Sequence, residues 1–210
     1  DPAQHAFLPG KNIHEPISSV RACYMRSLNA KNNEKGRACY ALYYDISKAY
    51  DTVPWSSIER ALYRINIHQD FINMALACLQ NSRIAMKTPI PGKTTVAVSM
   101  NKGIKQGCPL APLLFAILMD ELHAGYREYG GYAIDEHTTI SSRGYCDDTV
   151  IFAEDMDTLQ KMHAWTVTFM HHHHLKLNVG KTYLTGRNGD GTDLTSPLHC
   201  TGVPPDSLRG

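Results

Sequence analysis

The chain lacks any run approaching the ~18 consecutive apolar residues of a membrane-spanning helix, and its first residues show no basic-then-apolar leader. No membrane partner is therefore expected, and the protein reads as intracellular. Cysteine is sparse and scattered: six residues, at 23, 39, 78, 108, 146 and 200, form no CxxC pair and no close framework. Those spacings offer no close disulfide framework and suit reduced, buried thiols. A dominant charge sign is lacking too. At a formal net charge of +1, no field over the whole surface selects a polyanion, so any basic groove has to be local. Internal repeats and long low-complexity tracts are absent. So is an initiating methionine, since the chain opens Asp1-Pro2, as a piece of something longer would.

What is present is an ordinary globular composition, 43% apolar and 20% charged in 210 residues, enough for one sizeable core and short for two. Ile13, Ile17, Val20, Tyr24 and Leu28 recur at three or four residues and predict a helix from Asn12 to about Ala30 with that stripe as its core face. Lys31 to Arg37 is a polar loop. Ala38 to Ile46 is apolar at nearly every position until Asp45, the pattern of a buried central strand that ends in a carboxylate. Ser47 to Val53 turns the chain and Pro54 opens a helix whose core face is Ile58, Leu62 and Ile65. Phe71, Met74, Ala75, Cys78 and Leu79 give the next helix its face. Ser82–Met86 and Lys93–Met100 read as two strands around the Pro89-Pro91-Gly92 turn, followed by a loop and an apolar helix from Pro112 to Arg127 stopped by Gly130-Gly131. A further helix, Asp155 to His173, presents Leu159, Met162, Trp165, Thr166 and Phe169. Leu175 to Thr185 is expected as a short strand pair turning at Lys181, and the Gly-, Asp-, Thr- and Pro-rich end from Gly186 as a surface tail. His171 to His174 reads as a solvated run, because adjacent residues on a helix end point in different directions.

Between Gly144 and Ala153 two adjacent acids, Asp147 and Asp148, sit between short apolar runs, the pattern of a hairpin with carboxylates at its turn. Alone, this is a polar turn. With Asp45 as a third acid, the three would converge if their strands are neighbours, which periodicity leaves open. Three hard oxygen ligands in one place select Mg²⁺, and two such ions ~3.5–4 Å apart clamp the attacking and leaving oxygens of a phosphoryl displacement.

Five blocks in order carry a resemblance. Tyr44-Asp45-Ile46-Ser47-Lys48-Ala49-Tyr50-Asp51-Thr52-Val53 resembles the first catalytic block of reverse transcriptases of the non-LTR retrotransposon type, and Gly103-Ile104-Lys105-Gln106-Gly107-Cys108-Pro109-Leu110 their Q-G block. Tyr145-Cys146-Asp147-Asp148 is similar to their Y-x-D-D, Leu175 to Thr182 to the block that follows, and Gln4 to Lys11, more loosely, to a fingers element. The resemblance implies an α+β polymerase palm: an antiparallel sheet with helices packed on one face, partial fingers over 1–37, the palm over 38–186 with interleaved fingers strands near 82–100, and 187–210 as a tail or the truncated start of another module. No thumb is recognisable.

The resemblance also implies roles. Asp45, Asp147 and Asp148, with the backbone carbonyl of Ile46, would hold two Mg²⁺ ions, Mn²⁺ being the substitute. Tyr50 would be the steric gate against a ribose 2′-hydroxyl, Gln106 and Gly107 would line the nucleotide pocket, Lys181 would protonate leaving pyrophosphate, and Lys11 would touch the triphosphate. Lys48 and Asp51 are expected as an ion pair holding the turn. The implied reaction is RNA-directed DNA synthesis from deoxynucleoside triphosphates on an RNA template and DNA primer, within a longer polyprotein. The alternatives are an RNA-dependent RNA polymerase, or an inactive or domesticated fragment that only binds nucleic acid. Ala6, Lys11, Ala111 and Cys146 depart from the usual block residues, and none of these departures deletes a metal ligand.

Overall fold

The computed structural model describes residues 2–28 and 38–197. In chain order these form α1 (His14–Leu28), β1 (Cys39–Tyr44), α2 (Ala49–Thr52), α3 (Trp55–Arg64), α4 (Gln69–Gln80), β2 (Arg83–Ile84), β3 (Val98–Ser99), α5 (Ala111–Tyr129), β4 (Tyr132–Ala133), β5 (Thr139–Ile140), β6 (Ser142–Tyr145), β7 (Asp148–Ala153), α6 (Met156–His172), β8 (Tyr183–Arg187) and β9 (Asp193–Pro197). The expected polar loop at 31–37 and the end of the chain from 198 lie outside the described residues.

The main sheet is antiparallel in the order β6-β7-β1-β8-β9. Its central strand alternates with the period of two that a strand dictates. Tyr40, Leu42 and Tyr44 point into the main core, which holds Phe115, Leu118 and Leu122 of α5 and Leu159, Met162 and Phe169 of α6. Cys39 and Ala41 join Val150, Phe152 and Cys23 of α1 in a second cluster on the opposite face. The helix layer α3 to α6 thus backs one face, and α1 crosses the other. Two hydroxyls drawn into the core are partnered: the Tyr126 hydroxyl meets Thr166 Oγ1 at 2.8 Å and the Tyr44 hydroxyl meets His163 Nδ1 at 2.8 Å. Each fully buried Leu or Phe here contributes about 1.5–3 kcal/mol.

Local signals set the element ends. The Asp155 side chain accepts a bond from Thr158 N at 2.7 Å and caps α6. Gly130, at φ +106°, ends α5 in a conformation that side-chain-bearing residues avoid.

Several expectations are corrected. The α1 stripe Ile13, Ile17, Tyr24 and Leu28 is exposed, and the helix instead seats Pro16, Cys23 and Ser27, whose small side chains allow a close approach to the sheet. On α4, Ile72 replaces Met74 and Cys78 in the buried row, which otherwise keeps Ala75 and Leu79. Residues 175–185 are not a strand pair: Leu177 bridges Ile46, a 3₁₀ turn covers Val179–Lys181, and β8 begins at Tyr183. The expected tail supplies β9, paired with β8 from Arg187↔Asp193 to Tyr183↔Pro197. Within the histidine run His173 is buried against Phe169, and its ring nitrogen lies 3.6 Å from Glu121 Oε2.

Candidate active site at the head of the sheet

The β1–β7 register runs from Tyr40↔Ala153 to Tyr44↔Thr149. One step further it sets Asp45 opposite Asp148, and the hairpin β6–β7 closes through Cys146 and Asp147. On β7, Val150 and Phe152 point to the α1 side, so Asp148 lies on that face, as does Asp45 two residues beyond Tyr43. The third acid, Asp147, lies at the turn between the two strands.

Asp45 is held from the block that follows α6. Asn178 Nδ2 donates to its Oδ2 at 2.9 Å, Lys181 Nζ lies 3.5 Å from Oδ1, and Asn178 N donates to the Asp45 carbonyl at 2.8 Å. A cleft of about 500 Å³ opens here, lined among others by Asp45, Ile46, Tyr50, Gln106, Asp147 and Lys181. A second depression, beside it, is lined by Asp45, Asp148, Lys181, Arg143 and the stacked pair Tyr43–Tyr183, whose ring centroids are 4.7 Å apart. Asp45 and Lys181 border both.

The Tyr50 ring stacks on Phe115 at 5.0 Å, and its hydroxyl lies 3.2 Å from Cys146 Sγ. Burial, the contact with Cys146 and the charge of Asp147 push the Tyr50 hydroxyl well above its ordinary pKa. The Gln106 loop is anchored by Ile104 N donating to Tyr50 O at 2.7 Å, Gly103 N to Val53 O at 2.8 Å and Trp55 Nε1 to Gly103 O at 2.7 Å. Gly107 has φ +84°, a conformation that calls for glycine. It is not among the cleft-lining residues.

Lys11 is not brought to this cleft, and its ammonium lies 3.4 Å from Glu15 Oε2. Among the described ion pairs Lys48 and Asp51 do not meet. Lys48 works through its backbone instead, taking φ +48° while its carbonyl accepts from Asp51 N at 2.9 Å and Thr52 Oγ1 at 3.0 Å. Three contributors were absent from the expected site set although they lie within the matching blocks: Gln4, Gly103 and Asn178. Their type was visible, but what each one touches depends on tertiary contacts.

Burial first, then the charges of Asp147 and Asp45, raise the pKa of Asp148, and Lys181 opposes them. A surplus of negative charge on hard oxygens fits a divalent cation. As they stand, no three His, Cys, Asp or Glu side chains among the described residues are gathered closely enough to hold one. Lys181 is the cation now nearest Asp45. Along the chain, positive charge is concentrated in residues 71–119, which contain no Asp or Glu but carry Arg83, Lys87, Lys93, Lys102 and Lys105, the last of them next to the cleft-lining Gln106. Among the described residues no helix is long and apolar enough to cross a membrane.

Comparison with known proteins bears on the family and the fold. The family model for reverse transcriptase (RNA-dependent DNA polymerase) matches residues 1–199. A Retrovirus-related Pol polyprotein from the type-2 retrotransposable element R2DM of Drosophila melanogaster is 29% identical over 191 residues, covering 90% of this chain and 17% of the relative. One from a type-1 element R2 of Popillia japonica is 33% identical over 127 residues, covering 59% of this chain and 20% of the relative. The chain therefore spans a fifth or less of the length of these relatives. A truncated apo telomerase from Candida tropicalis superposes with a TM-score of 0.65 over 93% of this chain and 41% of that chain, at 13% identity, a likeness of fold.

Proposed function

This chain belongs to the reverse transcriptase (RNA-dependent DNA polymerase) family, and from that premise we propose that its cleft performs RNA-templated DNA synthesis. A primer 3′-hydroxyl attacks the α-phosphate of a deoxynucleoside triphosphate, the new phosphodiester forms, and pyrophosphate leaves. The observation that supports this reading is that Asp45 lines the cleft together with Asp147 and the neighbouring depression together with Asp148.

Asp45, Asp147, Asp148 and the carbonyl of Ile46 are the groups that would hold Mg²⁺. When bound, the ions supply positive charge that lowers the pKa of the attacking hydroxyl and stabilises the transferring phosphoryl oxygens. The protein's own groups do the rest. Lys181, beside Asp45, donates a proton to the departing pyrophosphate. The rigid Tyr50 ring, stacked on Phe115, occupies the space that a ribose 2′-hydroxyl needs. Gln106 borders the nucleotide. The Tyr43–Tyr183 stack with Arg143 offers sugar and phosphate of the primer an aromatic and cationic floor. The acid-free segment 71–119 gives an otherwise neutral chain a local field for a polyanion.

The test is extension of a DNA primer on an RNA template by this chain in Mg²⁺, with Asp147→Asn as control. Extension that requires Mg²⁺ and disappears in the variant is expected. Equal extension by Asp147→Asn, or none by the wild type, overturns the reading. Tyr50→Val is expected to admit ribonucleotides at least tenfold better, and unchanged discrimination removes the gate role.

A further inference from the structure

The acid turn is a two-residue hairpin loop, Cys146-Asp147, joining β6 to β7. Of its two residues Cys146 has positive φ, +61°. Positive φ at the first loop position is the signature of a type II′ turn, where glycine is the usual occupant. A side-chain-bearing residue there is strained and persists when its surroundings over-determine it. The surroundings that do so come from 142 residues away in sequence.

Gln4 is 1% exposed. Its Oε1 accepts from Cys146 N at 3.1 Å and its Nε2 donates to Cys146 O at 3.2 Å, so one carboxamide grips both backbone polar groups of the left-handed residue. The same oxygen accepts from His5 N at 3.0 Å and Ala6 N at 3.1 Å, which locks the carboxamide to its own segment. That segment is fixed to the hairpin in turn. His5 N donates to Gly144 O at 3.0 Å and Gly144 N to Ala3 O at 2.8 Å, a parallel bridge on the free edge of β6. Behind it, a Cβ at Gly144 would collide with the buried His123 ring, which meets Ser142 Oγ at 2.9 Å. Beyond the turn, the Cys146 thiol reaches the Tyr50 hydroxyl.

We propose that Gln4 is a positioning residue for the acid turn: by gripping both backbone polar groups of Cys146 it imposes the left-handed conformation that sets where Asp147 and Asp148 point, and where the thiol meets Tyr50. Its catalytic consequence rests on the polymerase reading above, whereas its structural part does not. Gln4 is not among the residues that line the cleft or the depression beside it. Its effect passes through one peptide unit, and rotation of that unit would swing two carboxylates together.

The test compares Gln4→Ala and the isosteric Gln4→Glu in the full 210-residue chain, each with and without Cys146→Gly, which adopts positive φ without strain. In wild type the Cys146 amide should be protected from hydrogen exchange, and Gln4→Ala should speed its exchange at least tenfold. The melting temperature lost through Gln4→Ala should be less than half as large in the Cys146→Gly background. In primer extension, Gln4→Ala should lower kcat 10- to 100-fold with KM for the nucleotide within about threefold. Gln4→Glu keeps the acceptor and loses the donor, so it should fall between wild type and Gln4→Ala in exchange. If Gln4→Ala does not fold, the Gln4→Glu pair supplies the same comparison. Equal melting losses in both backgrounds, or unchanged Cys146 exchange, overturn the proposal. A wild type that fails to extend primers while these couplings hold defeats the polymerase reading and leaves Gln4's grip standing. Intact couplings with unchanged kcat refute the positioning role.

Discussion

Replacing Asp148 by Asn should stabilise the metal-free protein while removing its activity. Asp148 lies one ladder step beyond the Tyr44↔Thr149 pair, opposite Asp45. Side chains directly opposite in an antiparallel pair have Cβ atoms ~4.5–5.5 Å apart, which leaves two carboxylates on one face ~5–7 Å apart. Their repulsion is then ~0.6–3 kcal/mol between an effective dielectric of 80 and 20. The Asp148 residue is exposed overall and its carboxyl only partly desolvated, and Lys181 lies 3.5 Å from Asp45, so the low end applies and a gain of ~1 kcal/mol is expected. For a domain of this size that is a rise of ~2–4 °C in melting temperature. The sign with pH follows from the raised pKa: the folded state binds this proton more tightly than the unfolded state. The penalty is therefore absent below the unfolded value near 3.8 and complete above the raised folded value. Thermal unfolding of wild type and Asp148→Asn in chelator at low salt, at pH 7.5 and again below pH 4, tests this. The difference should appear at pH 7.5, vanish in acid, and reverse when millimolar Mg²⁺ stabilises the wild type more. Asp45→Asn should not stabilise, because it discards the Lys181 ion pair and one acceptor of Asn178. A loss of ~1 kcal/mol or more in chelator for Asp148→Asn would show that the acids are not crowded and would refute the convergence argument.

Gly103→Ala should cost ~2–4 kcal/mol in urea unfolding, because φ is +84° and a Cβ would lie 2.7 Å from the Asp51 carbonyl; a loss under ~0.5 kcal/mol would show that the Gln106 loop is not clamped. Lys181→Ala should change stability by less than ~1 kcal/mol, since its side chain is 68% exposed, yet slow extension by ~10²–10⁴. A rate within threefold of wild type would remove its proposed acid role. Burial lowers the pKa of His123 to about 3 and of His173 to about 4, with His5 and His163 also lowered. Native histidines that bind fewer protons than the unfolded chain contribute stability above pH 6.5 that is lost as pH falls through that value toward their folded pKa. His123 alone accounts for up to about 3 kcal/mol between pH 6.5 and 4, so urea midpoints should fall steeply across that window and a flat profile would contradict its burial.

The hairpin, the central strand and the helix layer are legible because each is written in local pattern: an apolar run that stops at Asp45, adjacent acids between two short apolar runs, the three-to-four spacing of α3 and α6, and the apolar run of α5 stopped by Gly130-Gly131. What was not legible depends on which of two adjacent stripes a helix presents. On α1 the expected stripe Ile13-Ile17-Val20-Tyr24-Leu28, of which only Val20 packs against the second cluster, and the buried row Pro16-Cys23-Ser27 are about one residue step apart in rotation. Hydropathy favours the first, and close approach to the sheet selects the second. The end of the chain misled for a related reason. Gly186 has the composition of a turn, but a Cβ there would lie 2.5 Å from the Cys39 carbonyl, so glycine marks a tight β1–β8 crossing and not the end of the fold. For Lys11 the sequence offers block order alone, and a loosely matching block does not fix where a long side chain reaches.

Besides Asn178 and Lys181, which touch Asp45, the position of the carboxylates is held by parts of the molecule that do not line the cleft. Asp45 and Asp148 share a face because β1 and β7 pair in one register, and a slip by a single residue would carry one acid to the other side of the sheet. That slip would also carry Ile151 and Ala153 out of the main core and push Val150 and Phe152 toward α5 and α6, exchanging the two clusters wholesale. Burial of each large side chain contributes about 1.5–3 kcal/mol, so the penalty for the slipped state far exceeds the ~1 kcal/mol by which the acids repel each other. Hydrophobic alternation, more than any contact within the cleft, therefore keeps like charges together in the absence of a cation. It follows that a conservative core change such as Ile151→Val should weaken the fold before it disturbs the relative placement of Asp45 and Asp148.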